Sequence, residues 1–229
     1  MNQKSFLAPP GNESQRLRLD PVMRHVEKGR MNLIRNICVY CGSAPGADPL
    51  FLDAALELGR ALAAHDIGLV YGGGDNGLMG AVARAVLAEG GRVTGIIPSF
   101  LRKRENMLEA AQELIIVDDM HSRKRIMFER ADAFVALPGG IGTLEELVEQ
   151  LTWVQLGQHG KPVLIADIAG FWKPLLSLFA HMRGNGFIRE QFELNYLVSE
   201  KIGDVIPMLQ KAAAMAERTG KTKELDARL

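Results

Sequence analysis

Cysteine is scarce in this chain of 229 residues: Cys38 and Cys41 are the only two. The spacing Cys38-Val39-Tyr40-Cys41 matches a redox pair or half a zinc site. No second pair exists to complete a zinc ribbon, and Cys38 lies in an apparent strand rather than at a helix start. Structural thiols in a reducing, cytoplasmic setting are therefore expected. Long apolar runs are missing too, since no stretch reaches the roughly eighteen residues that a membrane-spanning helix requires. The N-terminus has basic residues but not the continuous apolar segment and small-residue cleavage pattern of a signal peptide. Charge of one sign is not in excess: 27 basic residues balance 27 acidic ones, so no overall field attracts nucleic acid or an anionic membrane. No repeat period and no nucleic-acid module emerges. At 47% hydrophobic and 24% charged, what is left is the composition of an ordinary globular domain.

Residues 1–33 carry Pro9-Pro10-Gly11, Pro21, Gly29 and scattered charges, and read as a flexible N-terminal arm. From Ile34 onward, short apolar runs alternate with helical patterns. Strands are expected near Ile34–Cys41, Ile67–Tyr71, Arg92–Ile97, Glu113–Val117, Ala133–Leu137, Pro162–Ala166 and Leu194–Val198. Helices are expected over Pro49–Ala64, Leu78–Glu89, a segment ending near Arg130, one ending near Leu156, residues 170–182, and Ile202–Ala213. The stretch around Arg102–Gln112 is read as a further helix with a solvated basic face. Candidate buried positions include Leu52, Ala55, Leu56, Leu58 and Leu62 in the first helix and Leu144, Leu147, Val148, Leu151 and Thr152 in the fourth. The alternation implies an α/β fold: an open, mostly parallel sheet with helices on both faces. One domain over residues 34–212 is expected, followed by a polar C-terminal tail over 213–229.

In such a sheet, loops at the carboxyl ends of the strands gather the ligand site. The most informative of them is Pro138-Gly139-Gly140-Ile141-Gly142-Thr143-Leu144-Glu145-Glu146, between the run Ala133–Leu137 and a helical pattern. A tight glycine turn into a helix start leaves backbone N–H groups converging on one spot, reinforced by the helix dipole, and a phosphate fits there. Gly72-Gly73-Gly74 ends another strand. Turn geometry alone accounts for three glycines, and close approach of backbone to a ligand is the functional reading. Gly42 and Ser43 sit where a dinucleotide fold places its first phosphate loop, although the spacing is not G-x-G-x-x-G.

Two charged groups accompany these loops. Thr143 and Glu146 have the Thr-x-x-Glu spacing of a reciprocal helix cap, which by itself would account for Glu146. Glu145 likewise fits an acidic residue in a first turn. Adjacent carboxylates beside a phosphate nest also suit a phosphorylated sugar, with a carboxylate reaching ribose hydroxyls or activating water. His121, Arg123 and Lys124 cluster at a helix start that Asp119 could cap. Cations are unfavourable there unless an anion or carboxylate answers them. His121 is also an acid–base candidate, but one histidine near one aspartate is not a metal set, so no metal ligand is expected.

Met120-His121-Ser122-Arg123-Lys124, taken with Pro138–Glu146, closely resembles the LOG (Lonely Guy) family, the cytokinin riboside 5′-monophosphate phosphoribohydrolases. Gly72-Gly73-Gly74 with Gly77-Leu78-Met79-Gly80, and Cys41-Gly42-Ser43, support the match, which covers roughly residues 34–212. The resemblance implies a Rossmann-like enzyme, usually a homodimer, that hydrolyses the N-glycosidic bond of a nucleoside 5′-monophosphate to free base and ribose 5-phosphate. It implies that Arg123 and Glu146 are the essential catalytic pair and that Pro138, Gly139, Gly140, Ile141, Gly142 and Thr143 hold the phosphate. Glu145 and Lys124 would support the pocket, Met79 and Met120 would lie near the base, and Ser43, Gly73 and Gly74 would complete the substrate-binding wall. No cofactor is expected. Family members often carry a lysine decarboxylase label, but no pyridoxal phosphate lysine can be argued from this chain. Two other readings stay open: a nucleotide-binding or carrier protein without hydrolysis, and a nucleosidase of broader nucleoside 5′-monophosphate specificity.

Overall fold

The computed structural model describes residues 34–102, 107–108, 110–189 and 193–226. The arm expected over residues 1–33 and most of the basic run after Arg102 lie outside the described residues. In chain order the elements are β1 (Asn36–Tyr40), α1 (Pro49–Ala64), β2 (Gly68–Tyr71), α2 (Gly77–Ala88), β3 (Val93–Pro98) and β4 (Glu113–Val117). They continue with α3 (Met120–Arg130), β5 (Ala133–Ala136), α4 (Ile141–Gln155), β6 (Val163–Ala166), α5 (Lys173–Gly184), β7 (Leu197–Ser199) and α6 (Val205–Asp226). Among the described residues, seven strands form one sheet in the order β4-β3-β2-β1-β5-β6-β7, and each pairing between these strands is parallel.

Strands β1, β2, β5 and β6 are apolar and buried almost throughout, as strands covered on both faces must be. One face packs Leu58 and Leu62 of α1, Val82 and Val86 of α2, and Val205 and Leu209 of α6 against Val39, Leu69 and Val135. The other packs Met127 of α3, Leu147 and Leu151 of α4, and Phe179 of α5 against Cys38, Val70, Phe134 and Ile165. Helix α1 starts under Asp48, whose carboxylate accepts from Leu50 N at 2.9 Å, with Pro49 at the first helical position. Gly59 lets α1 and α2 touch: a Cβ there would lie 2.5 Å from the Val82 carbonyl oxygen and 2.6 Å from Ala85 Cβ. The small residues of α2 therefore serve helix–helix approach as well as packing on the sheet.

Four expectations change. The buried stripe of α1 is Ala54, Ala55, Leu58, Gly59 and Leu62, which turns Leu52 outward. In α4, Leu147, Gln150 and Leu151 face inward while Val148 and Thr152 face out. The stretch after β3 is not a continuous helix. Ser99–Leu101 forms a short 3-10 turn, and Met107 bridges to Gly74. Helix α6 runs past Ala213 to Asp226, beginning its extension with the good helix formers Ala214, Met215, Ala216 and Glu217 and meeting no proline.

The strand order fixes the place for a ligand. The chain steps outward from β1 through β2 and β3 to β4, then returns to the other side of β1 as β5. The connections leaving β1 and β5 therefore diverge to opposite faces, and a crevice opens at their carboxyl ends.

Candidate functional site

At that crevice the β1 and β5 loops are laced together, with Gly42 N donating to the Pro138 carbonyl at 3.0 Å. Gly139 is locked in place: a Cβ would come 2.9 Å from Gly42 N and collide with Thr143. Helix α4 then begins at Ile141, with Gly140 in extended conformation as its N-cap and no side chain capping it. The expected capping box does not form. Pro138-Gly139-Gly140 completes the turn by itself, so the helix starts ahead of Thr143, which is buried in the first turn beneath Gly139. Glu146 is thus released from the structural explanation that competed with a functional one.

The first intrahelical bond is Leu144 N to the Gly140 carbonyl, at 3.0 Å. The N–H groups of Ile141, Gly142 and Thr143 precede it and have no acceptor within the helix. The start of α2 at the same crevice is different. Leu78 N and Met79 N both donate to the Gly42 carbonyl, at 3.0 and 3.3 Å, so a protein oxygen already occupies that helix end. A cavity of about 260 Å³ opens beside the α4 start, lined by Gly42–Gly46, Pro138–Gly140, Leu78 and two aromatic rings, Phe51 and Phe171. Ser43 is exposed on its rim.

Helix α3 brings the basic residues in from the β2 side. Its cap is the expected one: Asp119 accepts from Ser122 N at 2.8 Å and from Ser122 Oγ at 3.1 Å. These hydrogen bonds hold the Asp119 carboxyl below its usual value. Arg123, one turn in, is 6% exposed. Its Nη2 donates to the Gly72 carbonyl at 3.2 Å and its Nη1 approaches Met120 Sδ at 3.8 Å, while buried Nε has no hydrogen-bond partner among the described residues. The three glycines after β2 divide the work around it. A side chain at Gly72 would strike the guanidinium, Gly73 takes a left-handed turn and accepts from Leu108 N at 3.2 Å, and Gly74 bridges Met107. Met79 is buried beside Gly72. His121 is exposed.

Lys124 turns toward α4. Its Nζ donates to Glu145 Oε1 at 2.7 Å and to Glu149 Oε1 at 2.9 Å. Burial pulls the ammonium's pKa down, but the hydrogen bonds to Glu145 and Glu149 outweigh it and leave the value raised. Glu149, one turn beyond Glu145 on the same helix, was not among the sequence candidates. Glu146 is half-buried on the same helix. Its charge is felt along β1. The thiols of Cys38 and Cys41 are raised by burial and then by Glu146, and the Tyr40 hydroxyl by burial, Cys38 and Glu146 in turn. Arg123 acts on Cys38 in the opposite sense. The charges of Arg123 and Glu146, from different helices, thus both act on Cys38 of β1. Both cysteines are buried and kept protonated, which fits structural thiols and not a redox pair.

A family model described as "Possible lysine decarboxylase" matches residues 79–208. The probable cytokinin riboside 5′-monophosphate phosphoribohydrolase LOG4 of Oryza sativa subsp. japonica is 44% identical over 195 residues, 85% of either chain. The cytokinin riboside 5′-monophosphate phosphoribohydrolase LOG1 of Arabidopsis thaliana is 44% identical over 188 residues, 79% of this chain and 88% of that protein. Among solved structures, the molybdenum cofactor carrier protein of Chlamydomonas reinhardtii superposes with a TM-score of 0.59 over 78% of this chain and 98% of that one. At 22% identity that likeness concerns the fold alone.

Proposed function

The chain belongs to the LOG family, and from that membership we propose that it hydrolyses the N-glycosidic bond of adenosine 5′-monophosphates, N6-modified ones included, to free base (cytokinin or adenine) and ribose 5-phosphate. The observation that carries the reading is the open start of α4, the helix that also presents Glu146. Three N–H groups at the positive end of a helix, without an acceptor among the described residues, suit a phosphate dianion without any metal. With the phosphate there, Glu146, more than a turn further along α4, faces the sugar.

Breaking the bond from C1′ to the base nitrogen sends its electron pair to the base and leaves oxocarbenium character on the ribose. The Glu146 carboxylate stabilises that charge and orients the water that adds to C1′. Water delivers its hydroxyl to C1′ and the base leaves carrying a proton. Arg123, buried with no partner for its Nε among the described residues, has donor capacity for the Glu146 side or the departing base. It cannot supply the proton itself, because a guanidinium does not deprotonate in this range. The decarboxylase description of the family model calls for a lysine amine free to form a Schiff base. Lys124, the lysine at this site, is held protonated by two carboxylates instead.

Residues 34–212 constitute the catalytic domain in this reading, and the buried free thiols suit a cytoplasmic setting. Homodimerisation follows the family. Leu178 and Met182 of α5, with Phe187 just beyond it, expose apolar surface for such a contact.

The test is direct. Incubation with AMP and with isopentenyladenosine 5′-monophosphate should release free base and ribose 5-phosphate. Glu146→Gln should cut turnover by about 10³-fold with an unchanged melting temperature. Wild-type turnover in that variant would remove Glu146 from the chemistry, and a wild-type protein that binds nucleotide without releasing base would be a carrier.

A further inference from the structure

We propose that Glu149 is a positioning residue for the hydrolysis: through Lys124 it ties the helix that presents Arg123 to the helix that presents Glu146. The inference rests on the hydrolase reading above and adds to it a residue and a division of labour.

Successive residues of a helix point about 100° apart. On α3, Arg123 reaches the end of β2, and Lys124 is thereby turned toward α4. On α4, Glu149 lies three residues beyond Glu146, so the two share a side of that helix. The Tyr40 hydroxyl registers both: after burial and Cys38, Glu146 and then Glu149 raise its pKa. The acceptor of Lys124 and the carboxylate placed at the sugar therefore face the same end of β1.

The two acceptors of Lys124 are not equivalent. The Lys124 side chain is 15% exposed and that of Glu149 22%, whereas that of Glu145 is 53% exposed. An ion pair in water is screened and holds geometry weakly; one removed from water is costly to break, because a charge is left without an answer. Glu149 Oε2 is buried with no hydrogen-bond partner among the described residues, which makes Lys124 the group that compensates this carboxylate. Glu145 closes the strap from the solvent side.

The arrangement also assigns Lys124. One ammonium shared by two carboxylates leaves a net negative charge, so Lys124 is no free cation for a phosphate dianion. The N–H nest at α4 holds the anion, and Lys124 holds the helices. Its effect should then appear in turnover more than in binding, since reacting groups displaced by about 1 Å can cost on the order of 10²-fold in rate.

The experiment compares wild type, E149Q, K124M and the double variant K124M/E149Q, measuring kcat and KM for AMP, inhibition by ribose 5-phosphate, and melting temperature. Each single variant should lose about tenfold or more in kcat while KM and the inhibition constant stay within about twofold. The double variant should be no worse than the weaker single one, because both remove the same contact. Should E149Q fail to fold, K124M, which opens the strap from its other end, carries the same test. Wild-type kcat in E149Q or K124M, or losses that multiply in the double variant, would overturn the proposal. So would weaker binding in K124M at unchanged kcat, which would make Lys124 a phosphate ligand. An inactive wild-type protein would instead overturn the hydrolase reading on which it stands.

Discussion

Gly140, the N-cap of α4, and Gly142 are glycines that no steric contact of the fold requires. Neither takes a left-handed backbone, and a Cβ built on either meets nothing within 4 Å. Gly139 and Gly72 are the opposite case, since side chains there would collide with Thr143 and Arg123. A glycine inside a helix start costs about 0.5–1 kcal/mol relative to alanine, so Gly142 is retained at a loss unless bare backbone is needed. The need is access to the N–H groups. Gly142→Ala should therefore stabilise the fold by up to about 1 kcal/mol while raising KM for AMP about tenfold or more. Melting curves and steady-state kinetics on the same preparation read both effects. A variant with higher stability and wild-type KM would place the phosphate somewhere other than this turn.

At the scale of elements, most of the site's framework was legible and one boundary was not. Strand and helix periods located every element that carries a site residue, because buried parallel strands and amphipathic helices write their burial into the sequence. The Asp119 cap of α3 was legible for the same local reason. The start of α4 was not legible, because Thr143-x-x-Glu146 imitates a capping box while the glycine turn ahead of it begins the helix unaided. Glu149 was illegible as a partner. Its value lies in a lysine on another helix, and no local pattern encodes that pairing. The α3 cap gives a pH prediction. Hydrogen bonds from Ser122 lower the Asp119 pKa in the folded state, so the unfolded chain binds the proton more readily. The stabilisation is complete above the unfolded carboxyl pKa, about 3.9, and is lost as pH falls through the lower folded value. Between about pH 5 and pH 3, the melting temperature of wild type should fall more steeply than that of Asp119→Asn. Parallel slopes would mean that the cap contributes nothing to stability.

For the whole molecule, the decisive fact is the reversal of strand order between β1 and β5, which no single segment of the sequence displays. It brings loops almost a hundred residues apart into hydrogen-bonding contact at Gly42 and Pro138, and it seats α4 with its positive end over the crevice. A ligand bound there ties β1 to β5 and so bridges the two halves of the sheet. Binding to the folded state alone adds RT ln(1 + [L]/Kd), about 2.7 kcal/mol at a hundredfold excess over Kd. For a domain of this size each kcal/mol moves the melting temperature by about 2–4 °C, so saturating ribose 5-phosphate should raise it by roughly 5–10 °C. Free ribose, lacking the anion, should give almost none of that shift, and Gly142→Ala should lose most of it while starting from an equal or higher melting temperature. Equal shifts from ribose and ribose 5-phosphate would show that the crevice recognises sugar without the phosphate, and the open start of α4 would then lose its role as the anchor.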